Sequence, residues 1–149
     1  MANIVPFAFK GELMSGTHNF SAGGNTFFLA LYTANPFTTA STVYVTTSEV
    51  SGAGGSNYTA GGKQLQNQAV GASTATTTVD FDNLTWGAAT TGAATFGAAF
   101  AAIYNSTNAN KIVVALDFGG TKTATNGDFT IAFPSIAVPA NAILSLTSS

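Results

Sequence analysis

ALDFGGTKTATNGDFTIAFP, residues 115–134, can be read in two incompatible ways. Asp117-Phe118-Gly119-Gly120-Thr121-Lys122 is spaced like the turn that grips a nucleotide phosphate in two-lobed sugar kinases. Those enzymes carry the turn near the N-terminus, follow it with further nucleotide motifs, and need roughly twice the 149 residues present here. In this protein the match falls in the last third, with no length left for a second lobe. The other reading is a pair of strands. Ile112, Val114, Leu116 and Phe118 alternate on one face, Phe129, Ile131 and Phe133 alternate on the next, and Asn126-Gly127 supplies turn chemistry between them. That reading predicts a β-hairpin in which Asp117 turns away from the aromatic face and bonds the Gly119-Gly120 amides or Lys122.

The same pattern continues outward. Phe27 to Thr33 is a continuous apolar run, too short for a helix and suited to a strand covered on both faces, and Asn35-Pro36 ends it. Thr42 to Thr46 is β-branched and aromatic, so a strand is expected there. Residues 51–62 form a long glycine-rich loop with Tyr58 as its one aromatic. Lys63 to Val70 and Thr76 to Asp82 read as consecutive strands across Gly71-Ala72-Ser73, and Val79, Phe81, Leu84 and Trp86 keep a period of two if a bulge intervenes near Asn83. Phe96 to Tyr104, Ile112 to Phe118, Asp128 to Phe133 and Ala142 to Leu146 complete the set. The expectation is an all-β protein, a β-sandwich or jelly roll of about eight or nine strands. One short helix is expected after Pro6, where Phe9 and Leu13 stand four apart and Gly16 can close the end. We read residues 1–149 as one β-rich domain, with 1–20 as a contact arm.

Composition narrows the function classes. Only 7% of residues are charged, against about a quarter in an ordinary domain. Arginine is absent, four lysines are scattered, and the net charge is −2, which argues against nucleic acid as a partner. No apolar run approaches the ~20 residues of a bilayer span, and the first residues lack the charge and apolar stretch of a signal peptide, so no membrane partner is expected. Without cysteine there is no disulfide framework and no thiolate chemistry. A surface of Thr, Ser, Asn and Gly with so little charge points to one covered by neighbouring subunits, and hence to a homo-oligomer, dimer or trimer.

Candidate chemistry is sparse. Asp80 and Asp82 on one strand face would stand about 7 Å apart, a separation open to an acid/base pair or calcium but more simply a solvent-facing edge. His18 is the single histidine; no nucleophile setting accompanies it, which favours a hydrogen-bonded structural role. Tyr32, Tyr44, Tyr58, Tyr104 and Trp86 could stack on sugars or simply pack in a core or interface, and Tyr58 is the one expected to be exposed. No catalytic, cofactor or metal residue is assigned. Expected partner contacts are Phe7, Phe9, His18, Phe20 and Tyr58, because both segments combine aromatics with little surrounding structure.

Read in order, Phe9-Lys10…Glu12-Leu13…Gly16…His18-Asn19-Phe20, Phe28 to Thr33, Thr46 to Gly52, Tyr58 to Lys63, Val79-Asp80-Phe81…Trp86, Ile103 to Thr107, and Ala115 to Lys122 followed by Asn126 to Phe129 resemble a family of small tailed-bacteriophage virion structural proteins. The resemblance runs over nearly the whole sequence. It implies a non-enzymatic capsid cement or decoration protein, made in the host cytoplasm, that meets the major capsid protein on the outer surface of the virion. It also implies an arginine shortly before Ile103, where this protein has Phe100-Ala101-Ala102. The alternative is a tail, fibre or spike component that binds a receptor or glycan.

Overall fold

The computed structural model describes residues 2–73, 75–90, 92–134 and 142–148. Among them lie α1 (Phe7–Met14), β1 (Phe27–Tyr32), β2 (Lys63–Gln64), β3 (Ala69–Ala72), β4 (Thr76–Asp80), β5 (Leu84–Trp86), β6 (Ala94–Asn105), β7 (Lys111–Gly127), β8 (Phe129–Ile131) and β9 (Leu144–Thr147). The architecture is all-β with one short helix, as the sequence leads one to expect. The strands form a four-stranded sheet in the order β2-β1-β6-β7, a three-stranded sheet β3-β4-β9 and a two-stranded sheet β5-β8.

The large sheet is apolar on both faces. Phe27, Leu29 and Leu31 enter one core cluster with Trp86, Phe96, Ile103 and Phe129, while Ala30 and Tyr32 enter a second with Phe37, Tyr104 and Ile112. This double burial is why Phe27–Tyr32 reads as an unbroken apolar run rather than an alternating one. Burying each of these large residues stabilises the fold by about 1.5–3 kcal/mol. The second face is covered by segments outside the strands: Phe37 meets Tyr32 edge-on with ring centres 5.1 Å apart, and Tyr44 stacks on Tyr104 at 4.5 Å.

Several expected pairings are corrected. The stretch from Ile112 to Phe118 does not form a hairpin with 129–133; it pairs with β6, whereas β8 pairs with β5. Val114, Leu116 and Phe118 do meet the same core cluster as Phe129, Ile131 and Phe133, but Ile112 enters the other cluster and the two strands belong to different sheets; the backbone passes between them at Asn126, which takes a left-handed φ of 49°. The segment Thr42 to Thr46 makes only a single bridge, Val43 to Lys111. Tyr44 and Val45 pack as a cover over the second core rather than adding to a sheet, while Val43 is exposed. Lys63 to Val70 divides: β2 pairs with β1, and β3 pairs with β4 across a turn slightly later than expected, where Ser73 N–H donates to Thr76 O at 2.8 Å. No bulge at Asn83 is needed, since β4 and β5 lie in different sheets. Ala101 and Ala102, at the place where the resemblance implies an arginine nearby, are fully buried between β1 and β7.

Candidate functional site

The N-terminal segment is not a free arm. Pro6 stands at the N-cap of α1 in extended conformation, where a residue lacking N–H loses nothing. At the other end Gly16, with φ 75°, lets Thr17 N–H reach Glu12 O at 2.8 Å and Gly16 N–H reach Leu13 O at 3.2 Å, the paired closure of a Schellman motif. Phe9 then points into the core and meets His18 at 5.0 Å and Phe20 at 6.3 Å between ring centres. Phe20 stacks on Phe27 of β1 at 4.5 Å.

A polar cluster pins this segment to the large sheet. Glu12 Oε2 lies 3.0 Å from His18 Nε2, and the other Glu12 oxygen takes the Lys111 ammonium at the start of β7. His18 Nδ1 lies 3.0 Å from Asn105 Nδ2, which can only donate, so Nδ1 accepts and Nε2 carries the proton towards the carboxylate. Asn105 also donates to Asn25 Oδ1 at 3.0 Å. Burial pushes the Glu12 carboxyl up, but the hydrogen bonds from Lys111 and His18 and the Lys111 charge outweigh it and hold the group below the ordinary glutamate value. Both ring nitrogens of His18 are thus engaged within the fold.

The segment forms one wall of an apolar groove of about 950 Å³; the other wall is the β3-β4-β9 sheet. Val5, Phe9, Leu13 and Met14 face Val70, Val79, Leu144 and Leu146 across it. Met14 is 91% exposed and Leu146 64%, and Val70 also stands in water. Among the described residues Lys10 is the one charged residue of the lining, and its ammonium sits 5.5 Å from the Phe7 ring centre. Phe7 is itself exposed. Phe9, His18 and Phe20 are buried in the protein's own core and floor the groove.

Tyr58 is also corrected: it is only 3% exposed. Its phenol donates to Glu49 Oε1 and accepts from Leu31 N–H, and its ring packs against Trp86 and Phe96. Glu49 gathers further donors, Gly61 N–H at 2.7 Å and the Tyr44 phenol at 2.5 Å. Tyr104 donates to Gly61 O at 2.7 Å and Tyr32 to Val45 O at 2.8 Å. The four tyrosines of the sequence thus cluster around one carboxylate, and Tyr58 and Tyr104 fasten the glycine-rich loop to the sheet. Burial above all, with the nearby Glu49 charge adding to it, disfavours phenolate at each: Tyr104 is pushed up to about 12, and Tyr32, Tyr44 and Tyr58 rise further. The sequence carried no signal for Glu49. These aromatics do not form an open sugar platform.

Asp80 ends β4 and bonds its own neighbour, Phe81 N–H, at 2.8 Å, while Asp82 lies beyond the strand and accepts from Asn67 at 2.6 Å. The expected single strand face for both carboxylates therefore does not form. Asp117 accepts the Gly119 N–H at 2.8 Å, the turn-bonding role read from its glycines. Among the described residues no three of His, Cys, Asp and Glu gather closely enough to hold a metal ion, and no helix is long and apolar enough to cross a membrane. Comparisons with protein families, with curated proteins and with solved structures find no match to this protein.

Proposed function

We propose that this protein is a non-enzymatic bacteriophage virion structural protein, a capsid cement or decoration protein that packs as an oligomer against the major capsid protein on the outer shell. The resemblance of the ordered motifs supports the family, and one structural observation carries the reading: the apolar groove between α1 and β3-β4-β9, whose Met14, Val70 and Leu146 stand in water. Exposed apolar residues gathered in a groove mark a contact surface, the more so on a protein with 7% charged residues. Each copy adds a modest interface, and many copies on a lattice make the shell resistant to disruption.

The tail or spike reading loses its proposed glycan contact, because Tyr58 is spent on the core. Quantitative mass spectrometry and electron cryo-microscopy of purified particles test the proposal. We expect a copy number comparable to that of the major capsid protein and density on the outer shell. A few copies confined to the tail, or a free monomer that never joins particles, would overturn it.

A further inference from the structure

We propose that Asn126-Gly127 is a self-modifying site that deamidates spontaneously, independently of the function assigned above. It is the one Asn-Gly pair in the sequence, and asparagine before glycine has the least crowded nucleophile on its C-terminal side. The fold does not shield it as a hairpin turn. It lies at the outer end of β7, where Asn126 is exposed and its last rung, Ala94 to Gly127, is separated from the rest of the ladder by a register shift. Among the described residues the Asn126 carboxamide has no hydrogen-bond partner; only its backbone N–H is held, by Thr95 Oγ1 at 2.9 Å. Fraying of this last rung frees the backbone to reach the reactive geometry at little cost.

The Gly127 amide nitrogen, losing its proton, attacks Asn126 Cγ. A C–N bond forms, the carboxamide C–N bond breaks, and the carboxamide nitrogen leaves as ammonia. Water then opens the cyclic imide at either carbonyl, giving aspartate or isoaspartate, with no change of oxidation state. Either product adds one negative charge to a net of −2. Isoaspartate also lengthens the backbone just before Asp128, whose Oδ1 accepts Ala88 N–H at 3.3 Å and occupies the space that a Cβ on Gly87 would need.

Gly127 is not demanded by the fold. A Cβ there would meet only Thr125 O, at 3.7 Å, and its φ lies outside the left-handed region, so Gly127→Ala crowds the nucleophile without straining the backbone. The folded protein is incubated at mildly alkaline pH and body temperature, cleaved after Lys122, and the peptide beginning at Thr123 is followed by mass spectrometry and isoaspartyl methylation. We expect a gain of one mass unit at residue 126, methylation of the product, a several-fold slower gain in Gly127→Ala with an unchanged unfolding midpoint, and none in Asn126→Gln. No gain while a free peptide of the same sequence converts, or an equal rate in Gly127→Ala, overturns the proposal.

Discussion

The Tyr58 phenol donates to Glu49 Oε1 across 2.7 Å and accepts the Leu31 N–H at 3.0 Å, so one residue of the loop satisfies both a carboxylate and an amide of β1. The glycine-rich loop is ordered by this pair: with little of its own to bury over much of its length, it is held through Tyr58 and through the Gly61 N–H that shares the same oxygen.

Removing that phenol leaves the buried Leu31 amide without its acceptor. We expect Tyr58→Phe to lose about 1–3 kcal/mol, the penalty of an unsatisfied buried donor. Tyr58→Ala adds a cavity beside Trp86 and should lose about 3–5 kcal/mol. Urea unfolding of the two variants checks both values, and equal midpoints for wild type and Tyr58→Phe would refute the role given to the hydroxyl.

The tyrosine cluster also has a pH signature. Each phenol's value in the fold is raised above the free value of about 10, so this contribution to stability is fully present below that pH and is lost as pH rises through the folded values, near about 12 for Tyr104. Spectrophotometric titration should show no tyrosine ionising near pH ~10 while the protein remains folded. A normal titrating phenol in the native state would contradict the arrangement.

At the acid end the relevant group is Glu12. Its folded value is depressed, so the stability it supplies is present above the unfolded glutamate value of about 4.3 and fades as pH falls through the folded one. Glu12→Gln should therefore lower the melting temperature at neutral pH, and the gap to wild type should narrow in acid. A gap that is constant with pH would mean that Lys111 and His18 do not bind the carboxylate.

Gly62 is fixed by backbone geometry. Its φ is 76°, and a Cβ would fall 1.9 Å from Leu29 O, inside the backbone of β1. Gly62→Ala should destabilise by more than the roughly 1–2 kcal/mol of the left-handed penalty alone, because the backbone must move as well. Thermal unfolding measures it, with exposed Gly11→Ala, which meets no atom, as the neutral or stabilising control.

Met14→Glu and Leu146→Glu separate docking from folding. Both residues stand in water, so stability should stay within about 0.5 kcal/mol. If the groove is the shell contact, the occupancy of the variants on purified particles should fall sharply. Full occupancy of both would move the contact elsewhere.

Much of the β architecture was legible in order along the sequence. Phe27–Tyr32 announced a doubly buried strand, Phe96 to Tyr104 and Ile112 to Phe118 lie within the long β6 and β7, and Pro6 and Gly16 marked the ends of α1. Asn126-Gly127 misled because turn chemistry is local, and a left-handed residue serves equally to pass the backbone from one sheet to another. Tyr58 misled for a similar reason: a glycine-rich neighbourhood describes the backbone, not where one ring is carried.

The candidate site was less legible still, because its connections are long-range. Glu12 and Lys111 are 99 residues apart and Tyr58 reaches Leu31 across 27, distances at which no spacing rule operates. The sequence alone determined composition, strand periodicity and helix ends, since these follow from each residue's own chemistry and its near neighbours. Only the tertiary structure decided which strands share a sheet, which aromatics are spent on the core and where apolar residues are left facing water, because burial depends on what the rest of the molecule brings against each face.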